Sequence, residues 1–503
     1  MTPVTASPSL RTTLLAALAL CAGAAIAQVP NPSFSIVGHV EALTLDAPAD
    51  PLSAGSVRVN GLTVLLPRNL LITLPGQYLT LNDIFRGPHP GSGAALAPVQ
   101  ASSGLALADT PRPPVPFEIH VMGNIVGGRY IAGHAKIVQM DLGGGSGFVR
   151  SIDTARGELL VGAQRTAGET PVQAAERDAT AARVRLNDPE GVFGKPNAAK
   201  FAPGPDLMDE RFALDPENAP VVAMTGFPMC IPRQAVDPDC PSGNRPPMPN
   251  HTRFTCGPVA AEASSPALPT CNPAKKAPIM AGDHVSYAGA LVPDPAQPGR
   301  FFVAAHALGV EAGIYTSPGA NPAYVFIEEA LMGMLGEPFP NIDQEETSRF
   351  RTVGFTTDPS RNVDVMLMDV APNGSVTERL LTVLTPQRAG QIGRVRVTLP
   401  SKSNFLAVTR EVRMRVAGAA GDPLGAYTAP IAEYIYPENT RFGQRPAYPV
   451  PVPFENFCEL LRGGGTLTTL GRTSGPALGS LTPFPESGHP TPQPRADSSA
   501  TCL

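Results

Sequence analysis

The chain reads as an all-β protein, built of two or more small barrel (OB-like) or sandwich units with long Pro/Gly-rich loops. Three observations predict this. Short alternating segments recur between turn signals about every ten residues, as in sandwiches and barrels. The 503 residues contain 58 Pro and 49 Gly, more than a fifth of the chain, which breaks helices and favours turns. One motif also occurs twice: Met122–Val138 (MGNIVGGRYIAGHAKIV) and Tyr287–Val310 (YAGALVPDPAQPGRFFVAAHALGV). Each runs Gly, aliphatics, turn, Gly-Arg, aromatic, then a small-residue-His-Ala run. This alignment sets Gly123, Arg129 and His134 against Gly289, Arg300 and His306.

In order, the first element is a processing signal. Arg11 precedes the apolar run Leu14–Ile26, and Ala25-Ile26-Ala27 is a small-x-small cleavage site, so residues 1–27 read as a signal peptide. The run is too short to span a bilayer, and no later segment reaches the ~20 apolar residues needed. Leu20 is bulkier than the residue usual before a lipid-modified cysteine, which disfavours lipidation at Cys21. The mature chain is expected to be secreted or periplasmic. At roughly 150 residues per domain, its length suits about three domains.

Residues 28–186 read as the N-terminal β-domain or domains. Phe34–Leu45 alternates as a strand. Ser56–Leu66 is a hairpin around Asn60-Gly61, a pair that tolerates the positive φ of a type I′ turn. The first motif copy supplies strands at Ile119–Val126 and Arg129–Val138, and Gly147–Ile152 with Glu158–Val161 forms another hairpin. Thr170-Pro171-Val172-Gln173 is a capping box with Pro at the first helical position, predicting a helix over Pro171–Arg183.

Residues 187–278 carry many prolines and four cysteines, and read as a disulfide-linked excursion between two β-domains. Removing Cys21 leaves Cys230, Cys240, Cys256, Cys271, Cys458 and Cys502, an even count that points to disulfides. Proximity favours 230–240, 256–271 and 458–502. No Cys-x-x-Cys pair supports zinc.

Residues 279–462 read as the C-terminal β-domain or domains. Asn321-Pro322 allows a helix start, yet Tyr324-Val325-Phe326-Ile327 favours a strand. Phe350–Phe355 and Asn362–Val370 flank a turn, and Gly393–Leu399 with Ala407–Val416 reads as a further pair. In the latter, Val412, Met414 and Val416 alternate with Glu411, Arg413 and Arg415, so one face is wet. Phe454–Arg462 suits a short helix stopped by three glycines. The tail, 463–503, has a disordered composition.

Four stretches resemble a family of uncharacterised secreted proteins of fungi and bacteria with small barrel-like repeats. They are Val57–Asn69 (VRVNGLTVLLPRN), Gly123–Ile137 (GNIVGGRYIAGHAKI), Arg185–Gly194 (RLNDPEGVFG) and Val353–Asp369 (VGFTTDPSRNVDVMLMD). The resemblance covers most of the mature chain apart from the tail. It implies export and a mostly β fold. It implies no activity, so no catalytic residue is carried over.

The candidate chemistry is sparse. His134 and His306 suit metal ligation or acid/base work, helped by His39, His284 and Asp283, or are simply hydrogen-bonded strand residues. Asp188 and Asp358 precede Pro in acidic turns that suit Ca²⁺, though Asp-Pro is also ordinary turn chemistry. Glu328, Glu329, Asp358, Asp364 and Asp369 contain the pair of carboxyls that glycoside hydrolysis needs. Arg394, Arg396, Arg410, Arg413 and Arg415 suit an acidic polymer or a solvated strand face. Ser146 among glycines fails both the nucleophile-elbow and the dinucleotide spacing. Net charge −5 lacks the basic footprint of a nucleic-acid binder. The leading expectation is an exported, non-catalytic binding or structural module meeting polysaccharide or extracellular matrix, without a resident cofactor. The alternative is a secreted polysaccharide hydrolase using carboxylates of residues 328–369.

Overall fold

The computed structural model describes residues 33–87, 98–139, 143–196, 208–215, 218–334, 348–370, 376–400, 411–419 and 426–430. It is an all-β chain of two barrels and a sandwich, each assembled from the alternating segments above.

The first barrel begins with β1 (Ser33–His39) and β2 (Ala42–Leu45). These are one predicted strand broken at a corner, where Val40 N–H donates to Phe117 O and Glu41 N–H to Arg58 O, both at 2.9 Å. β3 (Gly55–Val59) and β4 (Leu62–Leu66) form the expected hairpin, with Asn60 and Gly61 at φ 49° and 74°. β5 (Leu71–Leu74) and β6 (Gln77–Thr80) lead into the helix α1 (Leu81–Arg86), whose capping box joins Thr80 and Asp83. β7 (Glu118–Val126) and β8 (Arg129–Val138) are the first motif copy. β2 pairs β3, β8 lies parallel to β4, and β7 returns to β1. The bent first strand thus serves both edges. Val57, Val59, Val64, Ile119, Val121 and Ile137 fill the interior at 0% exposure. Each such side chain contributes about 1.5–3 kcal/mol against remaining in water.

The second barrel uses β9 (Gly144–Asp153), β10 (Glu158–Gly162), β11 (Ala182–Leu186), β17 (His284–Pro293) and β18 (Phe301–Val310). Its order is β11-β10-β9-β17-β18, and a parallel β18–β11 pairing closes the ring. This is the five-strand Greek-key barrel of the OB type. The predicted helix, α2 (Pro171–Thr180), bridges β10 and β11 behind its Thr170–Gln173 capping box.

Residues 187–283 therefore lie inside one barrel, between its third and fourth strands, rather than between two domains. They hold short strands: β12 (Val221–Ala223), which extends β18, then β13 (Met229–Cys230), β14 (Arg253–Cys256), β15 (Ala267–Leu268) and β16 (Ala277–Pro278). β13 pairs β16, and β14 pairs both β15 and the later β19 (Gly313–Thr316). Asp209 to Leu214 forms a strap onto the first barrel. Arg211 Nη1 donates to Ile84 O at 2.7 Å and to Ser103 O at 2.8 Å, and Phe212 stacks on Phe117 with ring centroids 4.7 Å apart.

The sandwich follows. β20 (Val325–Met334), β21 (Ser348–Thr356) and β24 (Arg394–Pro400) form a three-strand sheet. β22 (Val363–Val370), β23 (Val376–Leu384), β25 (Glu411–Val416) and β26 (Ala426–Pro430) form a four-strand sheet in the order β23-β22-β25-β26. This Greek-key arrangement is shared by immunoglobulin-like and fibronectin type III domains. It corrects two expected neighbours: β21 and β22 lie on opposite sheets, as do β24 and β25. The stretch after Asn321-Pro322 is strand, over Val325–Met334. Val363, Val365, Val412, Met414 and Val416 are buried between the sheets, as their alternation requires. The helix at Phe454–Arg462 and the tail lie outside the described residues.

Candidate functional site

The disulfides Cys230–Cys240 and Cys256–Cys271 are formed, while Cys458 and Cys502 lie outside the described residues. The first closes a loop that is also clamped internally. Arg233 holds Asp237 through Nη2–Oδ1 and Nε–Oδ2 at 2.7 and 2.9 Å, and Lys275 Nζ reaches Asp239 at 2.9 Å. Hydrogen bonds from Arg233 outweigh burial and hold the Asp237 carboxyl well below the usual range.

The two motif copies superpose differently from the sequence alignment. Gly123 and Gly289 do match. A Cβ on Gly123 would sit 1.8 Å from Ile131 O, and one on Gly289 would sit 2.3 Å from Ala304 O. Each glycine lies beside a β-bulge. In the first barrel the register passes from Gly123–Ala132 to Met122–His134, leaving Gly133 unpaired. In the second it passes from Gly289–Ala305 to Ala288–Ala307, leaving His306 unpaired. His306 thus corresponds to Gly133, and His134 to Ala307. Arg129 is set against Phe302, while Arg300 lies before β18 begins.

His134 is buried on β8. His306 is half-buried, and its Nδ1 is enclosed with no hydrogen-bond partner among the described residues. Burial first, and then the Lys136 charge, push the His306 imidazole down to about 4. The same two causes lower His120 on β7, which faces Lys136 directly across the hairpin. His120 Nε2 is 2.9 Å from the Ser35 hydroxyl on β1. The expected helpers are elsewhere: His39 is exposed, and His284 Nδ1 lies 2.9 Å from Glu311. Asp283 is gripped by Arg245 at 2.7 and 3.1 Å.

Both acidic turns bind their own chain. Asp188 accepts the backbone N–H groups of Val192, Phe193 and Gly194 at 2.7–3.1 Å, while burial raises its pKa. Asp358 is fully buried. Its Oδ2 accepts from Gly319 N–H at 2.9 Å and Arg361 Nε at 2.7 Å; its Oδ1 accepts from Ser360 N–H and Oγ at 3.0 and 2.5 Å. These bonds occupy the oxygens that Ca²⁺ would need. No group of three or more His, Cys, Asp or Glu side chains suited to a metal exists among the described residues.

The carboxylates proposed for hydrolysis sit in different settings. Glu328 is exposed at the bulge of β20, on one sheet of the sandwich. Asp364 is half-buried on β22, on the other sheet, opposite Arg415. Asp358 belongs to its turn. Asp369 pairs with Thr377, and its side chain and that of Glu329 lie outside the described residues. The arginine row is likewise divided. Arg394 and Arg396 ride β24, whereas Arg413 and Arg415 ride β25, where both pair with Glu378. Arg410 lies outside the described residues.

One polar cluster went unread in the sequence. OB-type barrels bind oligonucleotides and oligosaccharides on the second and third strands and the adjoining loops. In the second barrel this face is filled from within. Glu158 accepts from Arg183 Nη2 at 2.8 Å and Arg185 Nε at 2.7 Å, and Asp294 lies 2.6 Å from Arg183 and 3.2 Å from Arg185. Arg185 also covers the Phe302 ring at 4.1 Å. Burial opposes ionisation of Asp294, but its hydrogen bonds and the two arginines outweigh that and hold its pKa low. The Arg-Val-Arg alternation of β11 was the available signal.

No protein-family model, curated protein or solved structure matches the chain. No helix among the described residues is long and apolar enough to cross a membrane.

Proposed function

We propose that the protein is an exported binding or structural module acting at or outside the cell surface, with an extracellular polysaccharide as its partner. The observation that carries this reading is the engagement of Asp358. The most deeply buried candidate carboxylate has both oxygens committed to its own turn, while Glu328 and Asp364 ride opposite sheets. Retaining or inverting hydrolysis needs two carboxyls roughly 5 Å or 6.5–9.5 Å apart across a sugar. The two disulfides suit an oxidising compartment, in keeping with the apolar leader and its cleavage motif.

The test uses the mature chain on a panel of insoluble polysaccharides, following both cosedimentation and release of new reducing ends. The proposal expects saturable retention with no release. Release that disappears in Glu328→Gln or Asp364→Asn would replace it with the hydrolase reading.

A further inference from the structure

One element of the second barrel is not held by its core. α2 (Pro171–Thr180) buries none of its residues, and its large aliphatic side chain, Val172, is 67% exposed. A helix of ten residues is marginal in water unless an apolar face packs against something. The strands on either side need nothing from it. Val161, near the end of β10, pairs directly with Ala182 at the start of β11, so the ladder closes beneath residues 163–181. Outside the helix, the backbone bonds of that segment turn inward: Glu169 N–H donates to Thr166 O at 3.1 Å, and Ala181 N–H to Asp178 O at 3.3 Å.

Ion pairs hold the segment instead, and they converge on Arg150 of β9, whose side chain is 0% exposed. Its Nε pairs with Asp178, in the last turn of α2, and its Nη2 lies 3.3 Å from Glu169, just before the Thr170 cap. Nη1 donates to Ala163 O at 2.6 Å, and Nη2 to Ala174 O at 3.4 Å. Two arginines of the segment share the same carboxylates. Arg165 is 3.2 Å from Asp178 and 3.4 Å from Glu169, and Arg177 is 3.0 Å from Glu169. Arg165 Nε also donates to Arg150 O at 3.1 Å. Both ends of the helix are thus tied to one guanidinium, and no buried side chain of α2 backs up these bonds.

We propose that residues 163–181 form a latched flap, which lifts from the barrel as a unit when the Arg150 pairs are broken and leaves the barrel closed. Opening uncovers the Arg150 guanidinium and frees the connection between the barrel's second and third strands. The polar cluster of Glu158 with Arg183 and Arg185 is different, because it joins strands whose backbones also pair. The Arg150 cluster is the whole fastening of its segment, so breaking it releases that segment alone. The flap goes beyond the polysaccharide reading and does not rest on it.

The experiment is native-state hydrogen exchange of the mature protein, comparing the amides of α2 with those of β10 and β11. A latched flap exchanges α2 through an opening that the two strands do not share. Asp178→Asn removes one carboxylate of the latch. It should speed α2 exchange at least about tenfold, with the exchange of β10 and β11 and the melting temperature unchanged. An acid in the last turn of a helix opposes the macrodipole, so the substitution by itself favours the helix, and faster exchange reports the latch. Salt of about 1 M gives a second readout on the parent chain. Arg165 and Arg177 are 46% and 41% exposed, so their pairs are screened and α2 exchange should again rise alone. Exchange of α2 that is unchanged in Asp178→Asn, or that rises only together with β10 and β11, would overturn the flap.

Discussion

The two barrels share a closure and differ in their surfaces. Both place a glycine against the neighbouring backbone beside a bulge, both run their last strand parallel to the third, and both bury aliphatics inside. In the second barrel the face formed by strands two and three is filled by Glu158, Arg183, Arg185 and Asp294. In the first barrel the polar pairs join strands one and two instead: the hydroxyls of Thr44 and Ser56, 2.8 Å apart, and the Arg58–Glu41 ion pair. Backbone geometry is therefore the repeated feature, and surface chemistry is free to diverge around it.

The strap is the strongest physical link in this comparison. Phe212 leaves the second barrel's insertion and is buried among the first barrel's core residues. Phe212→Ala should cost about 3–5 kcal/mol in a denaturant titration. A loss below about 1 kcal/mol would mean that the barrels are held together by other contacts. Next come the cross-links, which among the described residues lie in the second barrel's insertion. Breaking Cys256–Cys271 as the double Cys→Ser variant should cost about 3 kcal/mol, because it frees a loop of sequence separation 15. The Cys230–Cys240 loop should lose slightly less, since its separation is 10.

Gly123→Ala and Gly289→Ala sharpen the comparison directly. Each methyl meets backbone oxygen, so each should cost at the upper end of about 1–3 kcal/mol, and by similar amounts. A penalty confined to one barrel would break the equivalence.

A pH-dependent effect separates the two bulges. His306 has a folded pKa near 4 against an ordinary 6.5, so between these values the unfolded chain binds the proton and the folded chain does not. Its contribution is present above pH 6.5 and is lost as pH falls towards 4. His306→Gln should flatten stability across that window, whereas Gly133→Ala should leave the pH profile unchanged.

Much of the architecture was readable from local chemistry. Asn60-Gly61 and the Thr170 capping box act over a few residues, and both elements form where those residues place them. The alternation of Val412, Met414 and Val416 likewise reports a face that is buried. Pairing beyond a hairpin was not readable. Nothing in Gly393–Leu399 or Ala407–Val416 states that these strands separate onto two sheets, because that choice depends on long-range closure. The site suffered from a one-residue problem. In sequence the motif copies set His134 against His306, but a bulge changes the count by one residue and moves side chains to the other face. The Arg183–Glu158–Asp294 cluster is drawn from three strand ends and loops far apart in sequence.

The most direct measurement is a hydrogen-exchange footprint of an oligosaccharide on the mature chain. The account predicts protection confined to a surface away from Glu328 to Asp369, with the oligosaccharide recovered at full length. Protection centred on Glu328 to Asp369, together with shortened oligosaccharide, would contradict it.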